Sequence, residues 1–151
     1  PPGIYPKGHY HAAGAVLVCI KGKGYSYNWH KDLGQRPWEA GKGHLVKVQE
    51  YIPGGLVAAA PGGGDWFYQH MGLGKGPALR VLNMWAGPTF NRAASEVPNP
   101  EDEIVSNNIY SPEEGGRSIH WRNEDPFIRK TYQERLEKEG VEFRMPEELY
   151  R

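Results

Sequence analysis

The sequence is nearly free of cysteine, with Cys19 alone among 151 residues. One thiol closes no internal disulfide, and the apolar neighbours of Cys19 give it the part of a small buried hydrophobe. A chain with no disulfide framework suits a reducing compartment, and the expected location is cytoplasmic. The sequence also lacks any apolar run approaching the roughly 18–20 residues of a membrane-spanning helix. A signal-like start is missing too. So is an excess of either charge: Lys and Arg together number 18, as do Asp and Glu. Neutrality removes the basic surplus expected of a nucleic-acid binder. Neither a membrane nor a nucleic acid is an expected partner. Internal repeats and low-complexity tracts are absent.

Glycine and proline are plentiful, at 20 and 13 residues. They favour short strands joined by tight turns over a helical bundle. The length allows one compact domain with a true core and some additional chain. Residues 4–11 read as a polar strand or strand entrance. Residues 15–20 are the most hydrophobic stretch and predict a strand buried on both faces. Tyr25, Tyr27 and Trp29 alternate with polar residues and share one face of a strand. His44, Val46 and Val48 alternate with Leu45, Lys47 and Gln49 in the same way. Residues 56–60 form a short apolar strand. After a glycine-rich turn, Trp66, Tyr68 and His70 share one face, with Phe67 and Gln69 on the other. Residues 78–85 predict the last strand of this part. The glycine clusters carry no Gly-Lys-Ser/Thr ending and open no helix, so they are not phosphate cradles.

From residue 88 the composition becomes polar and reads as an arm over a surface or across to a partner, with a brief strand candidate at 118–121. One helix follows, over about 125–139. Asp125 is its cap, Pro126 suits the first turn and Gly140 suits the end.

His9 and His11 stand at alternate positions. In an extended chain they face the same side. Two readings follow: a convergent imidazole pair that begins a metal site, or two separate surface histidines in a loop. Gly3, five residues, His9-Tyr10-His11, three residues, Ala15, six residues and Gly22 make a pattern that resembles the first signature motif of the cupins. Ala15 stands where that family usually has a metal-binding glutamate. The segment Trp66-Phe67-Tyr68-Gln69-His70 is similar to a Trp-Trp-His-Gln-His form of the second motif. Here Tyr68 stands at the usual ligand position and His70 two residues on.

The resemblance implies an all-β fold, a cupin-type jelly-roll barrel over residues 1–87, with residues 88–151 as C-terminal arm and helix. The barrel lacks its N-terminal strand or borrows one from another copy. The chain is thus a fragment, is processed, or exchanges a segment. A divalent metal (Fe, Mn, Ni, Cu or Zn) is implied at His9, His11 and His70, with Tyr68 as catalytic partner. The implied activity is a metal-dependent reaction on a small molecule, such as dioxygenation of an aromatic or carboxylate compound. Tyr25, Tyr27, Trp29, His44, Trp66 and Arg80 are the candidate substrate-binding residues. The alternative is a non-catalytic cupin, metal-free, that binds a ligand or assembles with itself as a homo-oligomer.

Overall fold

The computed structural model describes residues 2–10, 14–59, 61, 65–86 and 110–151, with the backbone alone at 85 and 86. His11, the glycines at 62–64 and most of the expected arm therefore lie outside the described residues.

Among the described residues six strands form two antiparallel three-stranded sheets. One has the order β4-β1-β6, the other β3-β2-β5. The strands are β1 (Gly14–Lys21), β2 (Gly24–His30), β3 (Lys47–Tyr51), β4 (Leu56–Ala59), β5 (Trp66–Gly72) and β6 (Arg80–Ala86). Among the described residues one α-helix, α1 (Pro126–Lys138), follows. Mostly-β architecture is thus as the glycine and proline content predicted. The described strands do not close either sheet on itself.

Gly22 makes the β1–β2 turn possible. Its φ is +92°, and a Cβ there would lie 2.6 Å from the Leu79 Cα. Both the left-handed backbone and the close approach demand glycine.

The two faces of the β3-β2-β5 sheet do different work. Tyr25, Tyr27 and Trp29 pair across the ladder with Met71, Gln69 and Phe67. This face is covered by α1 through Ile128, Tyr132 and Leu136. The three helix residues recur at four-residue spacing, so one narrow stripe carries the packing. Asp125 caps α1 by accepting from the Phe127 amide at 3.0 Å. Its other oxygen accepts from the Trp38 and Glu39 amides, at 2.7 and 3.0 Å, which ties the helix start to the loop after β2. Pro126 stands at the first helical position and Gly140, at φ +64°, follows the helix end. The predicted helix and its stop signals are therefore met within a residue.

The opposite face carries Ser26, Asn28, Tyr51, Tyr68 and His70. Tyr51 and Tyr68 pack there against Ala15, Leu17 and Cys19 of β1 and Val57 and Ala59 of β4. Cys19 is buried there, as its neighbours predicted.

Three local expectations change. Residues 15–20 are buried on one face only: Val16 and Ile20 are exposed while Ala15, Leu17 and Cys19 are not. The continuous apolar run hid a two-sided strand because its outward residues are apolar as well. His44 does not start a strand. It lies in a 3-10 turn, Gly43–Leu45, and the strand begins at Lys47. Gly43 sits against the Trp38 ring, where a Cβ would come within 2.1 Å, and the chain must turn there. The polar strand expected over 4–11 reduces, among its described residues, to pairing around His9, which bridges to Tyr68 on one side and Ser118 on the other. Pro6 has no N–H to offer a longer ladder.

Candidate functional site

His9 is placed by backbone pairing. Its amide donates to the Tyr68 carbonyl at 3.1 Å and its carbonyl accepts from the Tyr68 amide at 2.9 Å. On the other side the Tyr10 amide donates to the Arg117 carbonyl and the Ile119 amide to the Gly8 carbonyl. Residues directly opposite each other in a ladder project to the same face. His9 therefore joins Tyr68 and His70 on the face turned toward β1. The His9 and Tyr68 ring centroids are 4.4 Å apart, and those of Tyr68 and His70 are 5.2 Å apart. Tyr68 adjoins both imidazoles.

Each imidazole is held by its Nδ1. His9 Nδ1 lies 3.1 Å from the Lys7 carbonyl. A carbonyl only accepts, so this contact fixes the proton on Nδ1 and leaves the lone pair of the neutral ring on Nε2. Burial lowers the His9 pKa, and the Lys7 carbonyl opposes this more weakly. His9 is thus held neutral. His70 Nδ1 lies 2.7 Å from the Tyr51 hydroxyl. Burial pushes the Tyr68 phenol well above its ordinary value, with the nearby Tyr51 adding to the shift. Tyr68 therefore stays a neutral phenol, able to donate a hydrogen bond.

Ala15 is buried in the cluster that contains Tyr68. Position 15 does face the interior, and a methyl group fills the place where a carboxylate would bring charge. Among the described residues no three His, Cys, Asp or Glu side chains group as a metal site. His11 lies outside the described residues.

His70 also borders a cleft of about 150 Å³ between the N-terminal residues Pro2, Ile4 and Pro6 and the β5–β6 connection, Gly74, Ala78 and Leu79. Trp66 shares the inward face, half-buried, with its ring 5.7 Å from that of His30.

The remaining predicted binding residues are elsewhere. Tyr25, Tyr27 and Trp29 lie fully buried on the α1 side of their sheet, so they do not share a space with His9 and His70. The Arg135 guanidinium stacks on Tyr25 at 4.0 Å and pairs with Glu50 at 2.7 Å. His44 and Arg80 are exposed. Arg80 opens β6 opposite Lys21. Compared with protein-family models and with curated proteins, the chain matches none.

Two residues escaped the sequence reading. Tyr51 lies in register with Gln49 and Lys47, the polar partners of the Val46/Val48 alternation, and that polar register is the one facing inward. A tyrosine closing that polar register was the one feature of it visible in the residue order. The second is Glu124, buried on the α1 side. It accepts from the Tyr5 hydroxyl at 2.6 Å and from the Gln69 amide at 2.7 Å. Nothing in the sequence distinguishes it from the chain's other glutamates.

Proposed function

We propose that this chain builds a cupin-type jelly-roll barrel and acts on a small molecule with a divalent metal, as an oxygenase or related metalloenzyme. His9, His11 and His70 are the metal-holding residues and Tyr68 is the catalytic partner. One observation carries the reading. His9 and His70, from distant parts of the chain, flank one buried phenol, and each is anchored through Nδ1. Imidazole ligands that bind metal through Nε2 are oriented by such contacts to the other nitrogen. A neutral ring also has no proton to lose when a metal binds. Imidazole nitrogen is the donor chemistry that Fe, Mn, Ni, Cu or Zn accepts. Ala15 contributes no ligand, which leaves a site of lower negative charge than one with a carboxylate. The metal supplies Lewis acidity or a seat for dioxygen. Tyr68, kept protonated by burial, donates to a substrate oxygen and so orients it.

The cleft beside His70 favours a compact substrate. Its volume of about 150 Å³ is below the ~300–1,000 Å³ of pockets that enclose larger organic ligands. The aromatic rings expected to hold an aromatic substrate are under α1 instead. Metal content of the purified protein tests the reading. Roughly one equivalent is expected after loading with Mn, Fe, Ni, Cu or Zn salts, falling to near background in the His9→Ala/His11→Ala double variant. Failure to bind any of these metals overturns the metalloenzyme.

A second reading, self-assembly, has its own observation. The outward face of the β4-β1-β6 sheet presents Val16 and Ile20, Leu56, Leu82 and Met84, all exposed. Val16 lies between Ala58 and Met84, and Val18 between Leu56 and Leu82, so the side chains form one patch. Contiguous apolar surface of this kind marks an interaction face. Sedimentation equilibrium is expected to give a dimer or larger assembly, reduced to monomer by Leu56→Lys with Leu82→Lys. A monomer at high concentration for the unsubstituted chain contradicts it.

A further inference from the structure

The contact that holds His70 comes from Tyr51, a core residue of the inward face. Tyr51 ends β3 and lies opposite Gly24, two positions along β2 from Ser26. Ser26 in turn lies opposite His70. Tyr51 and His70 thus approach each other diagonally across the middle strand, over Gly24 and Ser26. Only small side chains stand between them, and the phenol reaches the imidazole. The hydroxyl meets Nδ1 at 2.7 Å. The ring of Tyr51 is packed among Ala15, Leu17, Cys19, Val57 and Ala59, so it has little freedom to swing. Ser26 lies beside this contact, opposite His70 on the middle strand. Ser26 itself accepts from the Asn28 amide at 2.9 Å. Ser26 and Asn28 are both fully buried.

The geometry points to Tyr51 as a positioning residue: backed by Ser26 and Asn28, it holds Nδ1 of His70 and turns Nε2 away as the working nitrogen. Polar groups are costly to bury unless they are paired. A phenol, a hydroxyl and an amide placed in one row on the inward face, ending on an imidazole, are explained by that imidazole's orientation. The role rests on the metal-site reading only for its purpose, because the hold on His70 exists with or without a metal. For a metal bound at Nε2, the Nδ1 proton must be donated to the Tyr51 oxygen. The Tyr51 proton then turns away from His70.

Imidazole NMR and metal affinity separate the two questions. In the unsubstituted metal-free protein, two-bond ¹H–¹⁵N spectra are expected to show His70 in a single tautomer with a hydrogen-bonded Nδ1. In Tyr51→Phe, which keeps the ring and its packing, both tautomers are expected, and Co(II) binding is expected to weaken by about tenfold or more. Ser26→Ala leaves the phenol in place and is expected to shift the His70 Nδ1 resonance in the same direction by a smaller amount. Identical His70 spectra in the unsubstituted protein and Tyr51→Phe overturn the positioning role. An Nε2–H tautomer in the unsubstituted protein, changed by Tyr51→Phe, keeps the positioning role and removes His70 from the ligand set. Absence of Co(II) binding with an altered tautomer in Tyr51→Phe likewise keeps the role and ends the metal reading.

Discussion

Replacing Trp29 with alanine is expected to lower the free energy of unfolding by about 4 kcal/mol. The indole is fully buried at the end of β2, with its ring 5.5 Å from that of Phe67. Its Nε1 donates to the Gly34 carbonyl at 2.9 Å, which fixes the loop that follows β2. Truncation removes a large apolar surface, opens a cavity under a rigid sheet and leaves that carbonyl without its partner. Large-to-small core changes cost the transfer free energy plus the cavity, and for Trp→Ala the total is about 3–5 kcal/mol. Domains of this size hold only about 5–15 kcal/mol in all. Chemical denaturation of the variant gives the value. A loss under about 1 kcal/mol would mean that the α1-covered face is not the main core.

The second large effect is a pH dependence centred on Glu124. Its carboxyl is nearly fully buried, and burial raises its pKa from 4.5 to about 7. The hydrogen bonds from Gln69 and Tyr5 oppose that rise, the neighbouring Asp125 adds to it, and the charge of Arg129 opposes it weakly. The folded protein therefore holds this proton more tightly than the unfolded chain. The corresponding stability is fully present below pH 4.5, falls as the pH rises toward about 7, and is gone above that. The two values are about 2.5 units apart, which corresponds to an upper limit of roughly 3 kcal/mol. Glu124→Gln resembles the neutral acid and can still meet both Tyr5 and Gln69. It is expected to match the parent protein near pH 4.5 and to exceed its stability at pH 8. Equal stability of the two proteins across this range would show that Glu124 folds without its proton.

Much of this arrangement was legible from residue order. The alternation of Trp66, Tyr68 and His70 with Phe67 and Gln69 correctly divided β5 into two faces. Asp125, Pro126 and Gly140 marked α1 because capping chemistry is local. The same alternation in Tyr25, Tyr27 and Trp29 showed that they share a face but not what covers it. That answer depends on α1, about a hundred residues later in the chain, returning to the sheet. Gly43 and Trp38 decide the turn at His44 by close contact, which no periodicity encodes. Glu124 and Tyr51 gain their surroundings wholly from tertiary packing. Tyr5 and Glu124 are 119 positions apart yet hydrogen-bonded.

Anomalous diffraction from crystals grown with Co(II) tests the metal centre most directly. The account predicts one strong peak bonded to Nε2 of both His9 and His70, on the Tyr68 side of the β3-β2-β5 sheet. Cobalt found only at other histidines, such as the exposed His44, with nothing bonded to His9 and His70, would contradict it.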